Sequence, residues 1–373
     1  MIFLMRRAGK ILGTLTVLLI PISVLLLLSI EKAPFGEIGR ARDAISDARK
    51  VRADRYSDTL FREAEEKYDY AMKLWKEENR KVIFLRDYSR AKTIAEESFI
   101  AALGAREDAI VASARERKAL KTRLDNTKSQ ISYFQEIFAN LPLSSSLQED
   151  NSIGRLYFAE AELAYREGHF ALCDDRLKES NIYLMSSYAR ARTILEEYFM
   201  MWPSWSVWVS ETIAGTKGNS SKAILVDKFE RKCYIYSKGE IADHFTIDLG
   251  SNWLGDKNEK GDRATPEGIY RVARKKDGAE TKYYKALLLD YPNKEDRERF
   301  TLAKKKGLIT RNAEIGGLIE VHGKGGTGVD WTDGCVALAD SDMDVLYSLC
   351  QTGTRVTIVG SIKPIEEILK KER

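Results

Sequence analysis

The chain has 373 residues, of which 44% are hydrophobic and 31% charged, a composition that excludes both a disordered tail and a polytopic membrane protein. Sixty basic residues against 56 acidic residues leave a net charge of only +4, too even for a general nucleic-acid binder. Four Cys and three His exclude a disulfide-dense scaffold and leave few ligands for a metal site. At about 150 residues per domain, the length predicts two domains with additional segments.

An apolar run over residues 11–30 predicts a single transmembrane anchor. The run, ILGTLTVLLIPISVLLLLSI, has 20 residues and no charge, enough to cross a ~30 Å hydrocarbon core as a helix. Basic residues precede it within 1–10, so the positive-inside rule keeps that segment in the cytoplasm and exports the remainder. A cleaved signal peptide is the alternative, but its apolar region would span only ~7–15 residues. We therefore expect a single-pass protein of the inner (cytoplasmic) membrane with its C-terminal part in the periplasm or otherwise outside the cytoplasm.

Glycine usage divides the exported part into two regions. Only five of the 25 glycines lie between residues 31 and 200, and eighteen lie from Gly215 onward. Apolar residues at helical spacing predict an all-α helical bundle over 36–200, with tetratricopeptide-like packing as the less favoured form. A continuous helix over 86–138 would be ~75–80 Å long, and 140–152 is predicted as a loop. We interpret the charges of this region as solvated faces, with a surface for an envelope protein partner as the alternative.

A Trp-rich linker is predicted over 201–220, where MWPSWSVWVS is interpreted as an aromatic latch between domains in preference to a sugar-stacking or bilayer-interface segment. The following region, 221–361, is rich in β-branched and aromatic residues, and 362–373 is a C-terminal tail. Two helices interrupt its strands, and the second, 341–352, begins with a predicted capping box of Ser341 and Asp344 and stops at Gly353. The other predicted helix is 294–306, and the predicted strands are 223–228, 232–237, 244–250, 268–275, 285–291, 316–323 and 354–360.

The densest cluster of chemically active residues is VHGKGGTGVDWTDGCVALADSDMD, residues 321–344. It places His322 at the end of a predicted strand and Cys335 after a tight Thr-Asp-Gly turn. A free thiol has a pKa near ~8.5, so it needs an imidazole to take its proton or to lower its pKa. The glycine-rich interval between the two residues lets the chain fold back and bring them together, and Gly334 can turn backbone N–H groups toward an oxyanion.

Other chemistries fit this cluster less well. The run GKGGTG lacks the G-x-x-x-x-G-K-[ST] pattern of a phosphate-binding loop. The three histidines, His169, His244 and His322, are scattered and form no H-E-x-x-H motif. We therefore predict no metal and no organic cofactor. The ordinary role of a lone Cys or His is structural, and the residues alone leave that role open for both.

The motifs of the last third resemble the catalytic domain of the L,D-transpeptidase family over residues 221–360. The family pattern of H-G, a glycine-rich flap and [ST]-x-G-C with a following apolar residue stands here as His322-Gly323 and Thr332-Asp333-Gly334-Cys335-Val336. Upstream, the family's T-P-x-G-x-[FY] motif stands as TPEGIY over 265–270. The resemblance implies an α+β multidomain protein with a transmembrane helix, a helical bundle and a mostly-β L,D-transpeptidase-like domain.

The resemblance also implies roles by position. Cys335 would be the nucleophile and His322 its base, and the backbone N–H groups of Gly334 and Cys335 would form part of the oxyanion hole. Asp333 and Thr332 would shape the turn, with Trp331 in the flap and Gly323 next to the base. The implied substrates are peptide stems of peptidoglycan, attacked through a thioester acyl-enzyme during cell-wall biogenesis and the maintenance of cell shape.

Two departures from the family pattern concern the residues around the cysteine. Asp333 stands where many members have His, and Ala337 stands where many have Arg or Asn. The pattern is closer to a G-C-x-A branch, which includes enzymes that detach proteins from peptidoglycan. A peptidoglycan amidase or endopeptidase of the same fold is therefore the alternative within enzymes, and a non-catalytic envelope scaffold is the alternative outside them.

Overall fold

The computed structural model describes residues 31–218 and 221–370, in which a helical N-terminal region precedes a mostly-β C-terminal domain. The predicted cytoplasmic segment 1–10 and membrane span 11–30 lie outside the described residues. Among the helices of the described ranges, none is both long enough and apolar enough to cross a membrane.

The chain divides into two compact units between Arg123 and Leu124. The boundary falls inside helix α4, Ser89–Phe138, which corresponds to the long helix predicted over 86–138. The helical region predicted as one domain over 36–200 is thus shared between the two units. The physical reason is the C-terminal end of α4, where Phe134, Ile137 and Phe138 are buried in the core of the second unit.

The first unit is a helical assembly with a core of small side chains. Its elements are α1 (Phe35–Lys50), α2 (Ala53–Tyr56), α3 (Asp58–Asn79), a 3₁₀ turn (Ile83–Leu85) and the first part of α4. Most buried side chains are alanines, among them Ala44, Ala48, Ala64, Ala102 and Ala105, packed around Ile45 and Phe61. Alanine costs no side-chain entropy in a helix and lets helices approach closely.

The second unit begins with an antiparallel helix pair, α5 (Ser145–Arg166) and α6 (Phe170–Phe199). Helix α5 starts inside the predicted loop 140–152, so the last part of that prediction is wrong. The helix forms there because Leu147 is fully buried and the Asn151 side chain donates a hydrogen bond to Ser187 Oγ of α6 at 3.3 Å. Polar residues in this segment therefore serve a helix contact rather than a loop.

The predicted linker 201–220 contains a helix, α7 (Trp202–Ala214), which packs against the barrel of the same unit. Trp205 is fully buried, and its indole N–H donates to Glu267 Oε2 at 3.0 Å. Tyr198 of α6 donates to Glu267 Oε1 at 2.8 Å, and Lys228 Nζ lies 2.7 Å from the same oxygen. The aromatic segment is thus a latch that attaches α6 and α7 to the barrel, and its helical packing corrects the assignment as a linker.

The C-terminal part of the second unit is a closed barrel. In the described residues its strands are β1 (Lys222–Asp227), β2 (Lys232–Ser237), β3 (Glu240–Asp248), β4 (Gly268–Asp277), β5 (Lys285–Leu289), β6 (Glu320–His322), β7 (Val336–Leu338) and β8 (Arg355–Val359). The strand order is β1-β2-β3-β7-β6-β5-β4-β8, closed by parallel pairing of β8 with β1. Strand β6 pairs with β7 in parallel, and the remaining neighbours are antiparallel. Pairing around the whole barrel leaves no open sheet edge.

Strand β7 was missed because its three residues directly follow the Thr-Asp-Gly turn and give no strand periodicity. The predicted strand 316–323 is shorter than expected, since only Glu320–His322 are paired. Helix α8 spans Lys294–Lys305, close to the prediction.

The ends of the last two helices differ from the prediction. Helix α9 spans Asp340–Leu349, and its N-terminus has no side-chain cap. The predicted capping box is wrong because Asp344 instead pairs with Lys285 Nζ at 2.6 Å. The predicted tail 362–373 contains a short helix, α10 (Ile365–Leu369), which buries Ile368 against the core.

Candidate active site

The two predicted catalytic residues lie at the ends of two adjacent strands of the barrel. His322 ends β6, and its register partner on the parallel strand β7 is Ala337. Cys335 directly precedes β7, two residues before Ala337. The glycine-rich segment between His322 and Cys335 therefore serves as the crossover between two neighbouring parallel strands.

The Cys335 sulfur is held by the backbone in front of β6. The Glu320 N–H donates a hydrogen bond to Sγ at 3.4 Å, and the thiol donates to the Leu318 carbonyl oxygen at 3.7 Å. Cys335 forms no disulfide in the described residues, so its sulfur is a thiol. Leu318 is 75% exposed and has a φ of 59°, an uncommon conformation for a residue with a side chain.

Burial raises the pKa of the Cys335 thiol to about 11. The hydrogen bond from Glu320 N–H acts in the opposite direction but is outweighed. The thiol is therefore neutral at neutral pH. Of the two effects considered from the sequence, proton transfer to the imidazole agrees with this pKa, and a pKa lowered by an imidazolium does not. A neutral thiol at this position requires a general base before it can act as a nucleophile.

His322 has the properties of that base. The side chain is fully buried, and burial lowers the pKa of its imidazole. Nδ1 lies 2.6 Å from the carbonyl oxygen of Gly323. Because a carbonyl can only accept, Nδ1 carries the proton, and Nε2 is the nitrogen with the free lone pair. Within the described ranges Nε2 has no hydrogen-bond partner, the Cys335 sulfur included.

Two aromatic side chains surround the His322 imidazole. Tyr283 stacks on it with ring centroids 3.8 Å apart and an angle of 10° between the planes. Trp331 meets it edge-on with centroids 6.0 Å apart, and its side chain is 42% exposed. Trp331 was predicted as a flap residue, but Tyr283 was not predicted as part of the site. The only signal for Tyr283 is the aromatic pair in TKYYK, which is equally typical of a strand.

The turn before Cys335 is fixed by Thr332. Its hydroxyl donates to the Cys335 carbonyl oxygen at 2.7 Å and accepts the Gly334 N–H at 3.2 Å. Gly334 has a φ of 127°, and a Cβ there would lie 2.6 Å from the Ala264 carbonyl oxygen. Only glycine fits this position, as the motif requires. The Gly334 N–H was predicted as an oxyanion donor; in this structure it is already engaged by Thr332.

Acidic side chains anchor the flap that connects β6 to β7. Asp248 is buried at the end of β3 and accepts hydrogen bonds from Thr327 N–H at 3.0 Å and Gly328 N–H at 2.9 Å. Asp330 pairs with Arg231 at 2.7 Å and accepts from Leu249 N–H at 2.9 Å. The flap is thus attached to the barrel at two points on either side of Val329.

Close backbone packing fixes the two ends of the flap. A Cβ on Gly323 would lie 2.5 Å from Asp340 Oδ1, and a Cβ on Gly325 would lie 2.5 Å from the Ala337 backbone. Ala337 itself is fully buried. The small residue that departs from the family pattern is therefore the one on which the flap packs.

Charged side chains of both signs lie near the sulfur. Lys257 pairs with Asp262 at 2.7 Å, reaches the Asp333 carbonyl oxygen at 3.5 Å and favours the thiolate of Cys335. Glu320 is buried, pairs with Lys276 at 2.6 Å and disfavours the thiolate. Asp333, the turn residue, also disfavours it. The net result agrees with a thiol that is neutral at rest.

The described part of the chain contains no group of three or more His, Cys, Asp or Glu side chains arranged to hold a metal ion. His244 lies on β3 beside Tyr234, and His169 precedes α6 near Glu167. Within the described residues, neither of these histidines forms a ring contact or a hydrogen bond with His322.

A partly buried thiol and a neutral, buried imidazole at the ends of adjacent strands are the groups that nucleophilic catalysis by cysteine requires. Comparison with known protein families shows which catalytic domain this part of the chain resembles. Residues 221–358 match the family model of the YkuD L,D-transpeptidase catalytic domain. Residues 221–358 are therefore similar to the catalytic domain of L,D-transpeptidases.

Individual relatives cover less of the chain. YafK of Escherichia coli strain K12, provisionally named an L,D-transpeptidase, is 38% identical over 78 residues, which are 20% of this chain and 32% of YafK. The chain thus spans about a third of the length of the curated relatives it matches.

Solved structures of L,D-transpeptidases are also similar. One from Xylanimonas cellulosilytica has 17% identity and a TM-score of 0.27, covering 38% of this chain and 62% of that one. The catalytic domain from Enterococcus faecium has 17% identity and a TM-score of 0.25, covering 38% and 99%.

Proposed function

We propose that the chain is a membrane-anchored cysteine L,D-transpeptidase that acts on peptidoglycan peptide stems through a thioester acyl-enzyme. The observation that carries the proposal is the state of His322. Its Nδ1 donates to the Gly323 carbonyl, so Nε2 keeps its lone pair and lacks a partner in the described residues. Cys335, whose thiol is neutral, directly precedes the adjacent strand β7.

In the first step, His322 Nε2 accepts the thiol proton while the Cys335 sulfur attacks the carbonyl carbon of a donor stem residue. The carbon–nitrogen bond to the next residue breaks, the imidazolium returns the proton to the leaving amine, and a thioester remains. At rest the thiol faces the Leu318 carbonyl. The S–H bond therefore has to rotate toward Nε2 when substrate binds. Catalytic hydrogen bonds are often long or poorly aligned until substrate is present.

In the second step, an amine of another stem loses a proton to His322 and attacks the thioester. The carbon–sulfur bond breaks, the thiol recovers its proton from the imidazolium, and a cross-link between two stems is formed. Water in place of the amine would give hydrolysis, with the same nucleophile and base. Because Thr332 holds the Gly334 N–H, the Cys335 N–H is the backbone donor we assign to the oxyanion in both steps.

The surroundings of the thiol favour an anionic peptide. Peptide stems carry free carboxylates, and Lys257 and Lys282 both act electrostatically on Cys335. Trp331 presents a partly exposed ring next to His322. These groups support binding of a stem whose carboxylate lies near the ammonium groups while its reacting carbonyl lies over the sulfur.

Purified sacculi and the full-length protein provide the test. Digestion of treated sacculi followed by muropeptide analysis should show new 3→3 dimers that are absent with Cys335→Ala. Released monomers or freed protein without new dimers would show that the reaction is hydrolysis rather than transfer. The absence of any Cys335-dependent change would contradict an enzymatic role and favour a scaffold.

For localisation, we propose that residues 11–30 anchor the protein in the inner membrane and that the catalytic domain lies on the periplasmic side. The support is the uncharged run of 20 residues with basic residues before it. The helical region would then space the enzyme from the bilayer or recruit an envelope protein. Protease added to spheroplasts should cleave the catalytic domain; protection that is lost only after lysis would contradict this orientation.

A further inference from the structure

One end of the first unit carries an exposed apolar loop. Val82, Ile83, Phe84 and Leu85 are consecutive, and their side chains are 65%, 42%, 47% and 70% exposed. They form the 3₁₀ turn and its approach between α3 and α4. Four consecutive apolar residues in water are unusual for a soluble surface and indicate a contact surface. We refer to residues 82–85 as the apolar loop.

Basic residues border the apolar loop on both sides. Arg80 and Lys81 precede it and are exposed, and Arg86 follows it. The Arg86 guanidinium donates to the Lys81 carbonyl at 3.0 Å and to the Asn79 carbonyl at 3.1 Å, which connects the two ends of the loop. An apolar tip with cationic flanks is the composition of segments that enter the headgroup layer of a membrane.

Glu31 binds to the segment that directly follows the apolar loop. The Glu31 carboxylate accepts the Tyr88 N–H at 2.5 Å and pairs with Lys92 Nζ at 2.6 Å, just after the apolar loop. Glu31 directly follows the apolar run 11–30 in the sequence. The residue at which the chain would leave a bilayer is thus bound to the start of α4.

An aromatic pair lies a few residues further along the chain. Phe35 is 70% exposed and meets Trp75 of α3 edge-on, with ring centroids 5.0 Å apart. Aromatic side chains of this kind are enriched at the interface between lipid and water. Both features belong to the unit that contains Glu31.

We propose that the apolar loop inserts into the interfacial layer of the lipid bilayer and gives the first unit a second attachment to the membrane beside its anchor. Segments of this composition bury their apolar side chains ~5–10 Å into the headgroup and acyl boundary. The exposed Arg80 would contact lipid phosphates at the same time, while Lys81 pairs with Glu78 at 2.6 Å. This inference rests on the membrane attachment proposed above and is independent of the catalytic reaction.

Depth-dependent quenching in nanodiscs tests the proposal with the full-length chain. The background variant is Cys335→Ser, which leaves three buried cysteines. An environment-sensitive fluorophore is attached to Phe84→Cys or to the control Val111→Cys. Phe84 is 47% exposed and Val111 is 48% exposed, but Val111 lies ~33 Å along α4 from its start. The nanodiscs contain phosphatidylcholine and phosphatidylglycerol, with spin labels at defined depths.

We expect strong quenching of the probe at position 84 by shallow spin labels, and several-fold weaker quenching at position 111. Equal quenching at both positions, or none at position 84, would overturn the proposal. A blue-shifted but unquenched probe at 84 would also overturn it and indicate a protein contact instead. Failure of the chain to enter nanodiscs would contradict the membrane attachment itself. The catalytic function would still be reported separately by the muropeptides that the detergent-solubilised protein forms on sacculi.

Discussion

The backbone N–H of Glu320 donates a hydrogen bond to the sulfur of Cys335, 3.4 Å away, from the strand that carries His322. This contact holds the Cys335 sulfur against the strand that carries His322 rather than against the turn that precedes Cys335. Together with the Leu318 carbonyl, it holds the thiol in a neutral resting state. We therefore expect the thiolate of Cys335 to form only when the imidazole of His322 takes the proton.

Tyr283 stacks on the His322 imidazole, and we expect it to orient this ring and to exclude water from it. Tyr283→Ala should lower kcat and move the acid limb of the pH profile upward, because water reaching His322 weakens the burial that lowers its pKa. Tyr283→Phe keeps the stacked ring and should retain nearly the wild-type profile. Steady-state kinetics with a tetrapeptide donor across pH provide the measurement. An alanine variant with reduced kcat but an unmoved acid limb would show that Tyr283 has no effect on the imidazole.

Thr332 connects the turn to the nucleophile through two hydrogen bonds. Thr332→Val keeps the shape but removes both bonds, so Cys335 can shift; a displacement of about 1 Å can cost up to ~10² in rate. Thr332→Ser retains the hydroxyl and is the matched control. Measured as kcat/KM on folded protein, the serine variant should stay within a few-fold of the wild type. A valine variant as active as the serine variant would contradict the role of the hydroxyl.

Activity should persist below the usual histidine pKa. Burial lowers the pKa of His322 from its ordinary value of 6.5, so the imidazole stays neutral and able to accept a proton at neutral and mildly acidic pH. As the pH falls through that lowered pKa, the imidazolium forms and the base is lost. The acid limb of kcat/KM should therefore lie below 6.5. A limb at or above 6.5 would be inconsistent with a buried, neutral base.

Trp205 should carry much of the attachment of α7 to the barrel. Trp205→Ala removes a fully buried ring and its bond to Glu267, so we expect a loss of about 3–5 kcal/mol in the free energy of unfolding. Val207→Ala on the same helix changes a side chain that is 52% exposed and should cost ~0.5 kcal/mol or less. Denaturant unfolding followed by far-UV circular dichroism compares them. Similar losses for the two variants would mean that the ring is not a latch.

Several elements could be predicted from the sequence because they depend on local periodicity. The long helix α4 follows from an uninterrupted helical pattern, and strands such as β1 and β2 follow from β-branched and aromatic runs. The order of the motifs was sufficient to indicate the catalytic domain, which the family-model match over residues 221–358 confirms. Roles for Cys335 and His322 remain predictions, now with a geometry attached to them.

Features that depend on tertiary contacts could not be predicted. Strand β7 is three residues long and exists because β3 and β6 pair with it on either side. Tyr283 joins the site only because its loop folds over β6, and no periodicity in the sequence encodes that contact. The Trp-rich segment was predicted as a linker because the sequence does not show the partner of its indole. That partner is the buried Glu267, which also pairs with Lys228.

The reaction of Cys335 with iodoacetamide at neutral pH tests the central claim most directly. The other three cysteines are buried, and Cys335→Ser provides the blank. If His322 is the base, alkylation should be slower in His322→Ala by about 10²-fold, the lower end of what a positioned base contributes, while both proteins react equally after unfolding. Equal alkylation rates for the folded wild type and His322→Ala would contradict the claim that the imidazole activates this thiol.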